Sequence, residues 1–212
     1  MQKLAIIGAS DLGKLIAHHV IVTNSFLFAG FYDNNINEAE FGEYLGKTDN
    51  LESDFSSGVF DCIIIGIGYT NFFYRKHFFD VCNKLNIPLA VFVHPSSFVD
   101  KTVKLGNGTV ILPGCVLDRN VELEDNVFLN VSCTIAHDSK IGKHSFLSPA
   151  VSIAGYVTVG EQGFVGIGSI IINGLDIAAG SVIGAGAVVV KHIAEKGIYI
   201  GNPARLQNKS TT

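Results

Sequence analysis

Every sixth residue from Val93 to Val189 is Val, Leu or Ile, at positions 93, 99, 105, 111, 117, 123, 129, 135, 141, 147, 153, 159, 165, 171, 177, 183 and 189. These three types supply 60 of the 212 residues. An unbroken run of this length in one register therefore has a chance probability on the order of 10⁻⁹, and the period is a structural instruction rather than an accident of composition. Four residues after each aliphatic position the side chain is small or β-branched, from Ser97, Val103 and Thr109 through Cys133, Ser139 and Ser145 to Ser181 and Ala187, with Leu175 the bulky exception.

An α-helix turns through 3.6 residues and rotates each sixth residue off a common face, while a strand needs only a period of two. A coil with three short flat sides meets the period directly. Each side sends one large and one small residue inward, three sides make an 18-residue turn, and successive turns pair as parallel strands. The register runs without insertion, giving between five and six turns of a parallel β-helix over residues 93–212. Spacing alone leaves the hand of the coil open.

Residues 1–92 follow a different rule. "KLAIIG", "FLFAGFYD", "DCIIIGIG" and "PLAVFV" are short apolar runs that read as strands, and "DLGKLIAHHVIV" and "NFFYRKHFFDVCNKL" read as helices between them. Alternation of this kind predicts a small parallel sheet with ligands at the carboxyl ends of its strands. "GASDLGK" has the spacing of GxxxxGK, but Leu15 stands where a Mg²⁺-binding Ser or Thr is needed. Ser10 also replaces the second Gly of G-x-G-x-x-G. What remains is a strand, a glycine turn and a helix N-terminus, which suits a phosphate.

A hydrophobic content of 48% excludes a disordered chain, and a net charge of -4 with scattered Lys and Arg argues against nucleic acid. No apolar run reaches membrane-spanning length and the N-terminal residues lack a cleavable signal pattern, so a cytoplasmic location is expected. Cys62, Cys82, Cys115 and Cys133 form no CxxC pair and read as small buried residues in a reducing compartment.

"HPSSFVD", "LGNGTVILPGCVL", "LNVSCTIAHDSKIG", "SPAVSIAGYVTVG", "IGAGAVVVKHI" and "GNPAR" together make the chain resemble the hexapeptide-repeat acyltransferases. More closely, it resembles sugar acetyltransferases of the bacillosamine-pathway type, which join a small Rossmann-like domain to a left-handed β-helix. The resemblance covers almost the whole chain. It implies a homotrimer, acetyl-CoA as co-substrate in the groove between neighbouring prisms, a nucleotide-sugar held mainly by residues 1–92, and a histidine base.

His137 follows the inward Ile135 by two places, where packing does not call for an imidazole. By itself it reads as a surface histidine; the match of "AHDSKIG" to the family motif makes it the candidate general base, since an ammonium has no lone pair with which to attack a thioester. Asp138 would orient the ring. Gly155 lies one coil further on, where a missing side chain leaves an N–H accessible to an oxyanion or simply makes a tight corner. Asn130 matches a sugar-contacting position of the family and reads equally as a left-handed corner residue. His144 is seven residues from His137 and reads as structural or surface.

For the cofactor, the resemblance points to Ile167, Gly168, Gly184 and Ala185 beside the pantetheine arm and Arg205 near the adenine end. Phe146 stands where relatives place a second histidine near the thioester. For the nucleotide-sugar it points to Gly8, Ser10, Asp11, Leu12, Asp33, Asn34, Gly68 and Tyr69, with Asp11 in place of a glycine and Asn34 in place of an acid.

The expected reaction is N-acetylation of a nucleotide-linked 4-amino-4,6-dideoxyhexose by acetyl-CoA. The alternatives are O-acetylation of a sugar such as sialic acid and a trimeric nucleotide-sugar-binding scaffold without chemistry. A γ-carbonic-anhydrase-like site would need three histidines around a metal. His94, His137 and His144 fall in three different phases of the hexad, so no metal is expected.

Overall fold

The computed structural model describes residues 1–36 and 41–207. Contacts divide the chain into two compact units, Met1–Phe92 and Val93–Thr212.

In the first unit, β1 (Lys3–Ile7), α1 (Asp11–Val22), β2 (Leu27–Tyr32), β3 (Tyr44–Gly46), α2 (Leu51–Ser56), β4 (Cys62–Ile65) and α3 (Phe72–Lys84) follow in order. The strands form one sheet in the order β3-β2-β1-β4, and every pairing is parallel. Leu4 to Ile7 and Cys62 to Ile65 are buried throughout, which is why both runs are continuously apolar rather than alternating. Chain passes from β1 to α1 through Gly8, with φ +103. A Cβ on Gly13 would lie 1.9 Å from the Gly8 carbonyl oxygen, so only glycine lets α1 start this close to the strand.

The expected last strand, "PLAVFV", is a correction. Leu89 makes one isolated parallel bridge to Ile63, and only Phe92–Val93 forms a strand, within the sheets of the β-helix. Pro88 has no N–H to extend a ladder along β4. β3 and α2 escaped sequence reading because three and six residues are too few to show a period.

The second unit is the predicted coil. Two-residue strands recur every six residues and pair at an offset of eighteen, so that Ile135 lies between Leu117 and Ile153, and Thr134 between Val116 and Ser152. Three sheets result, one per side. Inward aliphatic residues from Ile111 to Val189 are buried in one continuous core. The small inward residues explain themselves at the corners: Ser139 donates to the Ala154 carbonyl (2.9 Å) and accepts from the Val157 N–H (3.1 Å), and Ser145 does the same with Gly160 and Gly163 (3.1 Å each). Inward serines thus satisfy backbone groups that the bent chain withdraws from the ladders.

Turning each corner requires a left-handed residue. Fourteen consecutive positions six residues apart, from Gly108 to Gly186, have φ between +55° and +74°. Eight of them are not glycine: Asn120, Asn126, Ser132, Asp138, His144, Ala150, Tyr156 and Gln162. Such a run cannot be read from glycine placement alone. Asn130 is not among them, which removes the left-handed-corner reading of that residue.

The three outward faces differ. One carries Lys104, Glu122, Lys140, Thr158 and Asp176, with Lys140 bridging Glu122 and Glu124 at 3.3 and 2.6 Å. A second carries Val110, Phe128, Phe146, Phe164 and Val182, and the third Phe98, Val116, Thr134, Ser152, Ile170 and Val188. On this third face Phe98, Val116 and Ile170 are exposed.

Because each inward aliphatic side chain is locked between its neighbours one coil away, Leu147→Ala should lower unfolding free energy by about 2–5 kcal/mol. Thr158→Ala on the charged outward face should change it by less than about 0.5 kcal/mol. Denaturant midpoints of the two variants check the difference.

Candidate active site

His137 and Asp138 occupy the corner between the third face and the charged face. The Asp138 carboxylate accepts a hydrogen bond from His137 Nδ1 at 2.9 Å through Oδ2. Its Oδ1 accepts from Asn120 Nδ2 at 2.9 Å, and an Arg119 guanidinium nitrogen lies 3.5 Å from Oδ2. Asn120, then His137 and the Arg119 charge, hold the Asp138 carboxyl below its ordinary range. An ionised carboxylate only accepts, so Nδ1 carries the proton and the lone pair of the neutral ring is on Nε2.

Gly155 lies one coil above. A Cβ there would lie 2.7 Å from Cε1, 2.9 Å from Nε2 and 3.2 Å from Nδ1 of His137. The missing side chain is therefore the space the imidazole occupies, and Tyr156 closes the same pocket edge-on, with ring centroids 5.1 Å apart. In the coil ladder the N–H groups of Ala154 and Tyr156 bond to Ile171 and His137 carbonyls, and among the described residues no carbonyl takes that of Gly155. With Nδ1 held by Asp138, Nε2 at this corner can accept a proton.

Asn130, Ile167, Gly168, Gly184 and Ala185 lie on a different corner, at the opposite edge of the third face. Asn130 uses its side-chain oxygen to accept its neighbour Val131 N–H at 2.8 Å. Ile167, Gly168 and Ala185 are exposed, and nothing lies within 4 Å of a Cβ placed on Gly168. Arg205 is exposed and its guanidinium donates to the adjacent Ala204 carbonyl at 2.8 Å. Phe146 is buried on the second face, stacked on Phe128 (centroids 4.5 Å, 15°) and Phe164 (6.1 Å, 29°). His144 is likewise buried and structural, its Nδ1 3.0 Å from Asn126 Nδ2.

The first unit contains a cavity of about 440 Å³ at the carboxyl ends of β1, β2 and β4. Gly8, Ser10, Asp33, Asn34 and Gly68 line it; Asp11, Leu12 and Tyr69 do not, and Asp11 faces instead a shallow depression with Lys14, Leu15, His18 and Phe41. The Asp33 carboxylate accepts the N–H groups of Ala9 (2.9 Å) and Asn35 (2.8 Å), while Asn34 accepts from Thr48 N–H and hydroxyl at 2.9 and 3.0 Å. Asp33 therefore ties the glycine turn to the end of β2 and shapes the rim. Sequence reading missed Thr48, Asn71 and Tyr74 in the lining, because loop residues from separate elements meet only in the fold. It also missed the fully buried Arg75, whose guanidinium donates to the carbonyls of Ile65 (3.1 Å) and Ile67 (3.0 Å) and fixes the segment leading to Gly68. Burial lowers its pKa to about 9. Among the described residues no group of three or more His, Cys, Asp or Glu converges on a point, and no helix is long and apolar enough to cross a membrane.

Fold and domain order, an α/β unit ahead of a coil of hexapeptide repeats, are shared with solved sugar acetyltransferases. Residues 3–81 match the family described as the PglD N-terminal domain. The whole chain superposes on the acetyltransferase domain of PglB from Neisseria gonorrhoeae at TM-score 0.88 and 27% identity, covering 98% of this chain and 100% of that one. It superposes on PerB from Caulobacter crescentus, solved with CoA and GDP-perosamine, at TM-score 0.91 and 25% identity, covering 98% of each. WeeI from Acinetobacter baumannii shares the fold at TM-score 0.86 and 22% identity, over 98% of this chain and 100% of that one. No curated protein matches the sequence.

Two outcomes follow from this geometry. Gly155→Ala should displace the His137 ring, at a cost of about 1–3 kcal/mol in stability. The histidine resonances of the variant would shift, and unchanged resonances would contradict the packing. Asp138 has a depressed folded-state pKa, so its contribution to stability is present above the unfolded value and lost as pH falls through the folded one. Melting temperature should therefore fall less steeply between about pH 5 and pH 2 in Asp138→Asn than in the parent. Asp100, held low by the Thr102 hydroxyl, supplies part of the remaining slope.

Proposed function

We propose that this protein is an acetyl-CoA-dependent N-acetyltransferase acting on a nucleotide-linked amino sugar, specifically a 4-amino-4,6-dideoxyhexose. The observation that carries the reading is the His137–Asp138 pair with Gly155 packed against the ring from the coil above, on a chain that superposes throughout on an acetyltransferase domain and on PerB with CoA and GDP-perosamine. His137 is the general base. Nε2 takes a proton from the sugar amine as its nitrogen attacks the thioester carbonyl, so a C–N bond forms while the oxyanion meets the Gly155 N–H. Collapse breaks the C–S bond, and the proton passes to the departing thiolate. Asp138 holds the ring with Nε2 free and favours the imidazolium formed on the way.

The substrate's nucleotide fits the cavity lined by Gly8, Ser10, Asp33, Asn34 and Gly68 at strand carboxyl ends, where doubly wound sheets bind ligands. Asn130 contacts the sugar, and the CoA arm runs along Ile167, Gly168, Gly184 and Ala185 with Arg205 toward its phosphates. Those cofactor positions and His137 lie at opposite edges of one face, so a single chain does not bring them together. A homotrimer in which the corner of one copy meets the neighbouring edge of the next supplies both halves of each site. Exposed Phe98, Val116 and Ile170 on the intervening face support self-association. The setting is cytoplasmic, where acetyl-CoA and sugar nucleotides are available.

Purified protein should release free thiol from acetyl-CoA only when a 4-amino sugar nucleotide is present, tested across the UDP, GDP and dTDP forms. His137→Ala should lower turnover by about 10²- to 10⁴-fold. Full activity in that variant would remove His137 from the mechanism, and equal turnover of the 4-hydroxy counterpart would replace N- by O-acetylation.

A further inference from the structure

The hydrogen bonds around Asp138 reach one coil further down than the catalytic pair. Oδ2 is contested: it receives His137 Nδ1 at 2.9 Å and has Arg119 at 3.5 Å. Terminal rotation of a carboxylate is soft, so if nothing held Oδ1 the group could turn its better oxygen toward the guanidinium and loosen the imidazole. Oδ1 is held, by Asn120 Nδ2 at 2.9 Å. Asn120 and Asp138 are eighteen residues apart on the same corner with nearly identical backbones, φ +59 and +57, so the coil repeat itself places amide below carboxylate. Asn120 is anchored in turn, its N–H donating to Thr102 Oγ1 at 2.7 Å, and that hydroxyl donating to Asp100 at 2.6 Å. Three successive corner residues, Thr102, Asn120 and Asp138, thus form a polar ladder ending on His137.

We propose that Asn120 is a positioning residue for the reaction, fixing the Asp138 carboxylate so that Oδ2 holds His137 in the tautomer with Nε2 free. This rests on the reading of His137 as general base. The corner backbone does not require asparagine, because Ser132, Ala150 and Gln162 adopt the same left-handed conformation at equivalent positions. An amide that donates to a catalytic carboxylate is a narrower choice than the turn demands.

Asn120→Gly and Asn120→Asp test the assignment. Glycine keeps the left-handed corner while deleting the amide, and aspartate keeps the shape while replacing the donor with a second carboxylate. In the first variant kcat should fall about tenfold with both KM values unchanged, and in the second it should fall further. Independently of activity, ¹⁵N shifts of His137 should show a smaller fraction of the Nδ1–H tautomer in both. Parent-like tautomer populations in both variants would overturn the proposal. A changed tautomer with parental kcat would uphold the positioning and overturn instead the role of the pair in catalysis, an outcome separate from His137→Ala, which addresses the base alone.

Discussion

Parallel pairing at an offset of eighteen residues is the constraint from which the second unit follows. It stacks like on like: an inward Leu or Ile meets another above and below, so every coil buries the core of the next and none is stable as a solitary ring. The flat sides must bend to close, and closure is met by a left-handed residue at each corner. Non-glycine residues in that conformation carry strain, which the aliphatic ladder and the inward serines offset through burial and satisfied corner carbonyls. The corners are thereby rigid, and side chains mounted on them hold their geometry.

The His137–Asp138 pair inherits that rigidity. His137 and Asp138 are adjacent in sequence, yet their hydrogen bond owes its direction to Asp138 being a left-handed corner, which turns its carboxylate back toward the preceding ring. Contacts from the coils on either side complete the arrangement, Asn120 and Arg119 from one side and Gly155 and Tyr156 from the other. A site on a flexible loop would lose this register. Here each partner is fixed by the same repeat that builds the core.

Outward positions show how far composition could be read. The charged face announces itself through Lys104, Glu122 and Lys140. The aromatic face did not: only the stacking of Phe128, Phe146 and Phe164 at eighteen-residue spacing shows that these rings pack on one another. In the first unit the glycine turn and both long helices were legible, because strand and helix periods need only local sequence. The cavity lining was not, since Thr48, Asn71 and Tyr74 come from separate elements and carry no shared spacing. Arg75 sits on a helix where a charge normally faces solvent, and nothing local says that it reaches back to the carbonyls of Ile65 and Ile67.

The sequence by itself determined the coil, its length, the change of rule near Val93 and the phase of His137, because a repeat of six fixes which residues point inward without reference to anything distant. Tertiary structure decided which corner residues take the left-handed conformation, that Gly155 makes room for an imidazole, and that Asn120 meets the carboxylate of Asp138. It also decided that the candidate cofactor positions lie at the far edge of the face from His137. Those facts depend on residues one coil apart or on different edges of the prism, and their distances exist only after the chain has wound.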